Sequence, residues 1–324
     1  MDKPLASEAT VRRLIGAAGA APSIHNTQPW RFRVSGDVIE MHGDPGLMLW
    51  VADPRGRALH LSCGAALFNL RLAIRMLGAN PLVWPRPDPR GAPTLLAAVQ
   101  LRDGRQATSS ERELYEAICR RHSTRAPFSE SRVPGPVQTA LEKEAELEYA
   151  LLRLLSADGA ELVLDLAAAA DKALATDTEH RVELSQWIGI SGDAGIPASG
   201  LGYRPDADPA PVRDFGHAAP AIRLPVSSYE TLPQLAVLST AADEPADWLR
   251  AGQALQRVLL AATVNGLATS LLYQPVELAD MDGRGDGWWP WAECPQIIIR
   301  LGYGPLGPAT PRRPVDDILD REVS

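Results

Sequence analysis

Apolar residues near the start of the chain recur at helical spacing, with Val11, Leu14, Ile15 and Ala18 on one face of a segment from Ala9 to Ala20. The period then drops to two. Phe32-Arg33-Val34 and Val38-Ile39-Glu40-Met41 alternate as strands around a Ser35-Gly36-Asp37 turn. Residues 44–58 hold the turn formers Asp44-Pro45-Gly46 and Asp53-Pro54-Arg55-Gly56, and a long helix is predicted from about Leu59 to Leu77, ended by Gly78. That helix is apolar nearly all round. Its run Cys63-Gly64-Ala65-Ala66-Leu67-Phe68-Asn69-Leu70-Arg71-Leu72-Ala73 puts small residues on one face, where a second backbone could approach closely. Leu82-Val83-Trp84 and Leu95 to Leu101 read as strands on either side of a Pro-rich loop, Pro85 to Pro93.

The same order returns later. Ala251-Gly252-Gln253-Ala254-Leu255-Gln256-Arg257-Val258-Leu259-Leu260-Ala261 mirrors the first long helix, and Gly64 with Gly252, Ala66 with Ala254, Ala73 with Ala261 and Gly78 with Gly266 are all 188 residues apart. An apolar strand follows each helix, then a second strand, Leu95 to Leu101 in one case and Gln296 to Leu301 in the other. This pattern predicts a duplicated α+β unit, although any two buried helices can share small residues. The join falls in the polar segment Arg102 to Arg112, followed by a helix over Glu111 to Arg121 with Ser109 or Ser110 as its cap. Further helices are expected around Pro136 to Glu148, Asp158 to Ala175 and Asp177 to Ile188, and a strand over Gln234 to Ser239. Between them, residues 191–233 are dense in Gly, Pro and Asp, and so long an irregular stretch reads as a lid or binding element.

With 324 residues, 45% of them hydrophobic and 22% charged, the chain can build a sizeable core. A formal charge of −8 and the absence of a Lys or Arg run argue against nucleic acid or an anionic membrane as partner. No signal-peptide core or 18-residue apolar stretch is present, so a cytoplasmic location is expected. Cys63, Cys119 and Cys294 are far apart and read as buried apolar residues rather than a disulfide or thiolate site. The six histidines show no metal spacing, and no Gly-x-Ser-x-Gly elbow occurs. Gly302-Tyr303-Gly304-Pro305-Leu306-Gly307 fits Gly-x-Gly-x-x-Gly after an apolar strand, but Pro305 and Pro308 interrupt the helix that a dinucleotide site needs.

Three segments carry candidate chemistry. Ala21-Pro22-Ser23-Ile24-His25-Asn26-Thr27-Gln28-Pro29-Trp30-Arg31-Phe32 joins helix to strand and is stiffened by Pro22 and Pro29, so its amides are presented at low entropic cost. Those amides could equally satisfy their own backbone. Arg120-Arg121-His122-Ser123-Thr124-Arg125 gathers guanidiniums and a hydroxyl suited to a phosphate, and equally suited to a helix C-terminus. Thr310-Pro311-Arg312-Arg313-Pro314 is a rigid paired-arginine turn near the C-terminus.

The first of these, as Pro-Ser-x-x-Asn-x-Gln-Pro-Trp, resembles the flavin-edge motif of the FMN-dependent nitroreductase superfamily, and in full it is similar to the Acg-type, actinobacterial branch. The resemblance implies contacts from Gln28, Pro29, Trp30, Arg31 and Phe32 to FMN, with Ser23 and Asn26 nearby. Arg121, Ser123 and Arg125 match the family's Arg-x-Ser-x-Arg phosphate segment, Arg312 or Arg313 would close over the phosphate, and Gly266 to Ser270 resembles a turn that completes the site. His180 to Trp187 with Gly195-Ile196-Pro197 resembles the Acg-type stretch before the lid, which makes Trp187 a ring-covering or core aromatic. Trp288-Trp289-Pro290-Trp291 reads as local packing or a partner surface.

The amide loop occurs only in the first half and the arginine segment only in the second, so the resemblance implies an α+β nitroreductase-like fold duplicated in one chain. It would be a fused pseudo-dimer with a mixed sheet surrounded by helices, residues 1–104 giving the flavin edge and 105–324 the phosphate clamp. The implied function is two-electron reduction of nitroaromatic or quinone-like acceptors by NAD(P)H on a non-covalent FMN, with no catalytic side chain required. The alternative is an FMN-sequestering protein whose lid bars the nicotinamide. A monomer or a weak homodimer is expected.

Overall fold

A computed structural model describes residues 5, 7–207, 209–283 and 289–320. Helix α1 (Glu8–Gly19) is capped by Ser7, whose hydroxyl accepts from Thr10 N, and buries Val11, Leu14, Ile15 and Ala18. Strands β1 (Trp30–Ser35) and β2 (Val38–Gly43) form the hairpin, with Gly36 at φ +62° in its turn. Helix α2 (Arg57–Met76) follows, then β3 (Ala79–Pro85) and β4 (Leu95–Asp103). These strands order as β1-β2-β4-β3, all antiparallel.

Helix α3 (Ser109–Ala117) differs from expectation at both ends. Its cap is Thr108, which forms a capping box with Glu111, so the acceptor lies one residue before the expected serines. The helix stops at Ala117, and tighter turns carry residues 118–121. After α4 (Gly135–Glu146), β5 (Leu151–Leu154), α5 (Ala157–Thr176) and α6 (Thr178–Ser185) comes the irregular stretch. It contains the short parallel pair β6 (Arg204–Pro205) and β7 (Val226–Ser227), and its Ile196, Leu201, Phe215 and Ala218 cluster with Leu184 and Ile188. The stretch therefore has a small core of its own.

Strand β8 (Gln234–Thr240), α7 (Pro245–Val264), β9 (Ala268–Leu272), α8 (Gln274–Asp282) and β10 (Cys294–Gly302) complete a second sheet, ordered β5-β8-β10-β9 and again antiparallel. Near the end, α9 (Val315–Ile318) leads to β11 (Leu319–Asp320), which pairs parallel with β1 and makes the first sheet mixed. The mixed sheet that was expected is thus present, and a second, antiparallel sheet accompanies it.

Helices α2 and α7 pack against each other at their paired glycines. A Cβ on Gly64 would lie 2.9 Å from the Gly252 Cα and collide with the Leu249 carbonyl, and a Cβ on Gly252 would collide with that of Leu61. Any side chain here would force two helix backbones apart. Helix α2 serves the two largest hydrophobic cores, with Leu61 and Phe68 in one and Leu59, Cys63 and Leu67 in the other. Cys63 is buried as expected, but Cys119 is exposed and Cys294 half-buried. Trp289 and Trp291 pack tilted at 4.9 Å, while Trp288 lies outside the described residues. Among the described residues, no helix is long and apolar enough to cross a membrane.

Candidate functional site

Between α1 and β1 the chain makes a tight turn at Ile24–Asn26, with His25, Asn26 and Gln28 at φ 45°, 57° and 52°. Three non-glycine residues in the left-handed region within four positions store strain, roughly 1 to 3 kcal/mol each, and need surrounding bonds to hold them. Those bonds are present. Gln28 N donates to Ser23 Oγ at 2.9 Å, Thr27 N to Ile24 O at 2.9 Å, and Ile24 N to Ser62 Oγ of α2 at 3.1 Å.

The arginine segment reaches the same place from the other side. Thr124 N donates to Thr269 O of β9 at 2.9 Å, which aligns residues 123–125 beside that strand. The glycines after β10 let the tail pass. Gly302 and Gly304 lie against the Phe128 ring, and Gly307 against the Ser123 carbonyl. Arg312 then donates to Asn26 Oδ1 at 3.0 Å and Thr310 Oγ1 at 2.6 Å.

These segments enclose two adjoining cavities that share Pro22, Ser23, His25, Ser123 and Arg125. The smaller, of about 480 Å³, is lined by Asn26, Arg121, Thr310 and Arg312 as well, and among the described residues no carboxylate is in its walls. Arg121 Nε and Arg312 Nε are buried without partners among the described residues. Burial, then the proximity of Arg312, pushes Arg121 down to about 9. Burial followed by Arg213 pushes Arg125 to about 10, and burial alone does the same to Arg312. Guanidiniums do not readily lose protons, so these depressions measure chiefly the cost of desolvating the three cations, which an anion bound between them would offset.

The larger cavity, of about 780 Å³, has an apolar wall of Leu61, Leu255, Leu271 and Ile297, with Ser62, Tyr273 and Gln274 as polar groups. The irregular stretch covers it. Phe215 meets His25 edge-on at 6.1 Å, and the Arg125 guanidinium lies 5.0 Å from the Phe215 ring. Burial, then Arg213, drives His25 down to about 3, so its imidazole is neutral. Beneath, Arg213 donates to Glu277 Oε2 at 2.6 Å, and Glu277 Oε1 pairs with His180 Nε2 at 2.8 Å.

Further ties hold this cover down. Gly195 N donates to Asn26 O at 3.0 Å, Asn26 Nδ2 to Gly195 O at 2.9 Å, Gln28 Nε2 to Asp193 O at 2.7 Å and Arg125 Nη1 to Gly200 O at 2.7 Å.

Of the expected residues, Ser23, Asn26, Arg121, Ser123, Arg125 and Arg312 line the smaller cavity. Gln28 stands just outside. Its amide is taken by Asp193 O and by Arg313 N, which donates to Gln28 Oε1 at 2.8 Å. Arg313 also reaches the Gln28 and Asp317 carbonyls rather than the cavity. The Pro29 carbonyl accepts from Asp44 N, and Trp30 and Phe32 are buried in the core under the first sheet. Arg31 pairs with Asp320 of β11, its Nε donating at 2.9 Å. Trp187 is half-buried at the base of the cover, and Phe215 is the cover's aromatic at the cavity.

Sequence reasoning passed over His25, Arg213, Phe215, Tyr273 and Gln274. His25 fell on a variable position of the loop pattern. The only signal for Arg213 and Phe215 was a charged residue and an aromatic close together in an otherwise aperiodic stretch.

No family model matches the chain. It is 35% identical over 321 residues to the "Putative NAD(P)H nitroreductase Rv3131" of Mycobacterium tuberculosis, covering 96% of this chain and 91% of that protein. It is 31% identical over 318 residues to the "Putative NAD(P)H nitroreductase acg" of the same organism, covering 95% of each. Among solved structures, an FMN and NADPH-dependent nitroreductase NfnB from a Sphigopyxis species aligns with 64% of this chain and 98% of its own, at 17% identity and a TM-score of 0.38.

Proposed function

We infer the function from a plain premise: the chain belongs to the Acg-type branch of the nitroreductase superfamily. On that footing the two cavities are the seat of one non-covalent FMN. The observation that carries this reading is the group of three guanidiniums, Arg121 buried and Arg125 and Arg312 half-buried, with no carboxylate among the described residues of the wall they share. A phosphate dianion is the ligand chemistry they fit, because charge-assisted bonds would repay their desolvation. Ser123 and Thr310 add hydroxyls, and the apolar wall of the larger cavity suits a flat aromatic ring.

When bound, FMN supplies the redox chemistry, taking a hydride equivalent from NAD(P)H and passing two electrons to a nitroaromatic or quinone-like small molecule. The protein's part is to hold and orient the ring and exclude water. Arg31, paired with Asp320, is assigned no role toward the ring.

The same reading makes the chain an internal pseudo-dimer, residues 1–104 and 105–324, that needs no second copy to complete its site. The matching strand orders of the two sheets and the reciprocal glycine crossing support it. So does the derivation of the wall from both parts, with Ser23 and Asn26 from one and Arg121 to Arg125 from the other.

One observation favours a second reading, FMN sequestration: the cover is bonded to the loop residues Asn26 and Gln28 and to Arg125. Stopped-flow mixing of the purified yellow protein with NADPH or NADH separates the two. Rapid bleaching of the flavin band supports the reductase. No bleaching, with dithionite still reducing the flavin, supports sequestration, and a colourless protein that takes up no FMN refutes both.

A further inference from the structure

Gln274, the first residue of α8, is 1% exposed and lines the larger cavity, yet its Oε1 has no partner among the described residues. Its Nε2 donates to Asp171 Oδ2 on α5 at 3.2 Å. A side-chain amide that gives its N–H₂ to one neighbour must turn its carbonyl to the opposite side. We propose that Asp171 is a positioning residue, which by accepting from Gln274 Nε2 fixes the Gln274 carbonyl toward the cavity as the acceptor for a ring N–H of the bound ligand. This rests on the reading of the cleft as an FMN site, and it assigns the ligand a hydrogen-bond donor on its heteroaromatic ring, separate from the phosphate that the arginines recognise.

The pair responds to protons. Asp171 Oδ1 is also buried and without a partner among the described residues, so the carboxyl has a free position for a proton. Burial pushes Asp171 up to about 6. The groups facing it are Arg213 and the Asp214 N–H from the cover, which favour the carboxylate, and on α8 Gln274, which also favours it, and Glu277, which opposes it. His180 of α6 bonds to Glu277 behind them. With Asp171 protonated, its O–H can donate to Gln274 Oε1. The amide then turns over and shows the cavity N–H groups, which repel a ring N–H. Ligand affinity should therefore be full above pH 6 and decline as the pH falls through it.

FMN titrations of the flavin-stripped full chain, followed by fluorescence quenching from pH 5 to 8, test this with Asp171→Asn and Gln274→Met. Asparagine can donate to Gln274 as the protonated acid would, so at pH 8 Asp171→Asn should bind about tenfold more weakly than the wild type, the worth of one buried hydrogen bond. By pH 5 the ratio should shrink to about two, because about a tenth of Asp171 is still ionised there. The phosphate's own ionisation near pH 6 acts on both proteins alike and drops out of that ratio. In a Gln274→Met background, Asp171→Asn should change nothing further, which a merely structural Asp171 would not satisfy.

Identical titration curves for the wild type and Asp171→Asn, with unchanged melting profiles, overturn the proposal while leaving the FMN reading intact. If Asp171→Asn fails to fold, Gln274→Met alone decides: unchanged affinity at pH 8 is equally fatal. A wild type that binds no FMN at any pH removes both.

Discussion

Replacing Arg121 with Met should strengthen the ligand-free protein and weaken its grip on FMN at the same time. Arg121 is 3% exposed, its Nε has no partner among the described residues, and the charge nearest it is that of Arg312. Its depression to about 9 from the ordinary arginine value corresponds to about 5 kcal/mol of unfavourable charging at face value, an upper bound because buried cations relax and admit water. Methionine fills much the same volume without the charge, so a gain of roughly 1 to 2 kcal/mol is expected, or a few degrees in the melting temperature. The ligand side runs the other way. Losing one charge-assisted phosphate contact costs about 1.5 to 3 kcal/mol, and the lost field of a buried cation adds to it, so FMN should bind about 100-fold more weakly. Differential scanning fluorimetry of flavin-stripped protein gives the first quantity, and quenching titrations with FMN and with riboflavin give the second. Riboflavin has the ring without the phosphate, and its affinity should barely change. If Arg121→Met lowers the ligand-free melting temperature, or weakens riboflavin as much as FMN, the guanidinium is structural and the anion reasoning fails.

Glu277 lies at the centre of the buried group it forms with Arg213 and His180, and Glu277→Gln takes from that guanidinium the carboxylate it is bonded to, leaving only Asp171 to face it. About 3 to 5 kcal/mol should be lost in urea melts, with faster proteolysis between residues 191 and 233. Burial raises the Glu277 carboxyl, but Arg213 and the His180 bond outweigh it and hold it at about 2, so its contribution is full above the ordinary carboxyl range near pH 4 and disappears as the pH falls through 2. The wild type should therefore keep its cover protected from protease at pH 5, whereas Glu277→Gln should not. At the helix crossing, Gly64→Ala should cost more than about 3 kcal/mol or prevent soluble expression, since its Cβ meets the α7 backbone. Gly266→Ala, at φ +71° with open space around it, should cost only about 1 kcal/mol by the same melts.

The parts legible in the sequence were those governed by local rules. The period of Val11, Leu14, Ile15 and Ala18 marked α1, Gly78 marked the end of α2, and the echo between Gly64 and Gly252 pointed to a close helix contact before its partner was known. The cap of α3 was missed because Thr108, Ser109 and Ser110 are chemically near-equivalent, and only geometry selects the one facing Glu111. Trp30 and Phe32 belong to an alternating strand, and alternation alone does not say which face looks at a ligand and which at a core. The link among Arg213, His180 and Glu277 was invisible for another reason. Three elements far apart in sequence supply its charges, and no spacing rule connects them. The core of the cover escaped notice likewise, since Ile196, Leu201 and Phe215 follow no period and find each other only in space.

The pairing of β11 with β1 ties the order of synthesis to the order of folding. The first sheet contains a strand from residues 319–320, and the helix just before it, α9, packs its Ile318 into the core under β1. An emerging polypeptide can shape α1, α2 and the first hairpin early, yet the β1 edge of that sheet stays open until residues 319–320 have left the ribosome. Such distant closure predisposes a protein to slow maturation and to strand exchange between neighbours while it waits. Here the late-arriving segment also brings Arg312 to Asn26, so completing the sheet and finishing the ligand pocket are one event.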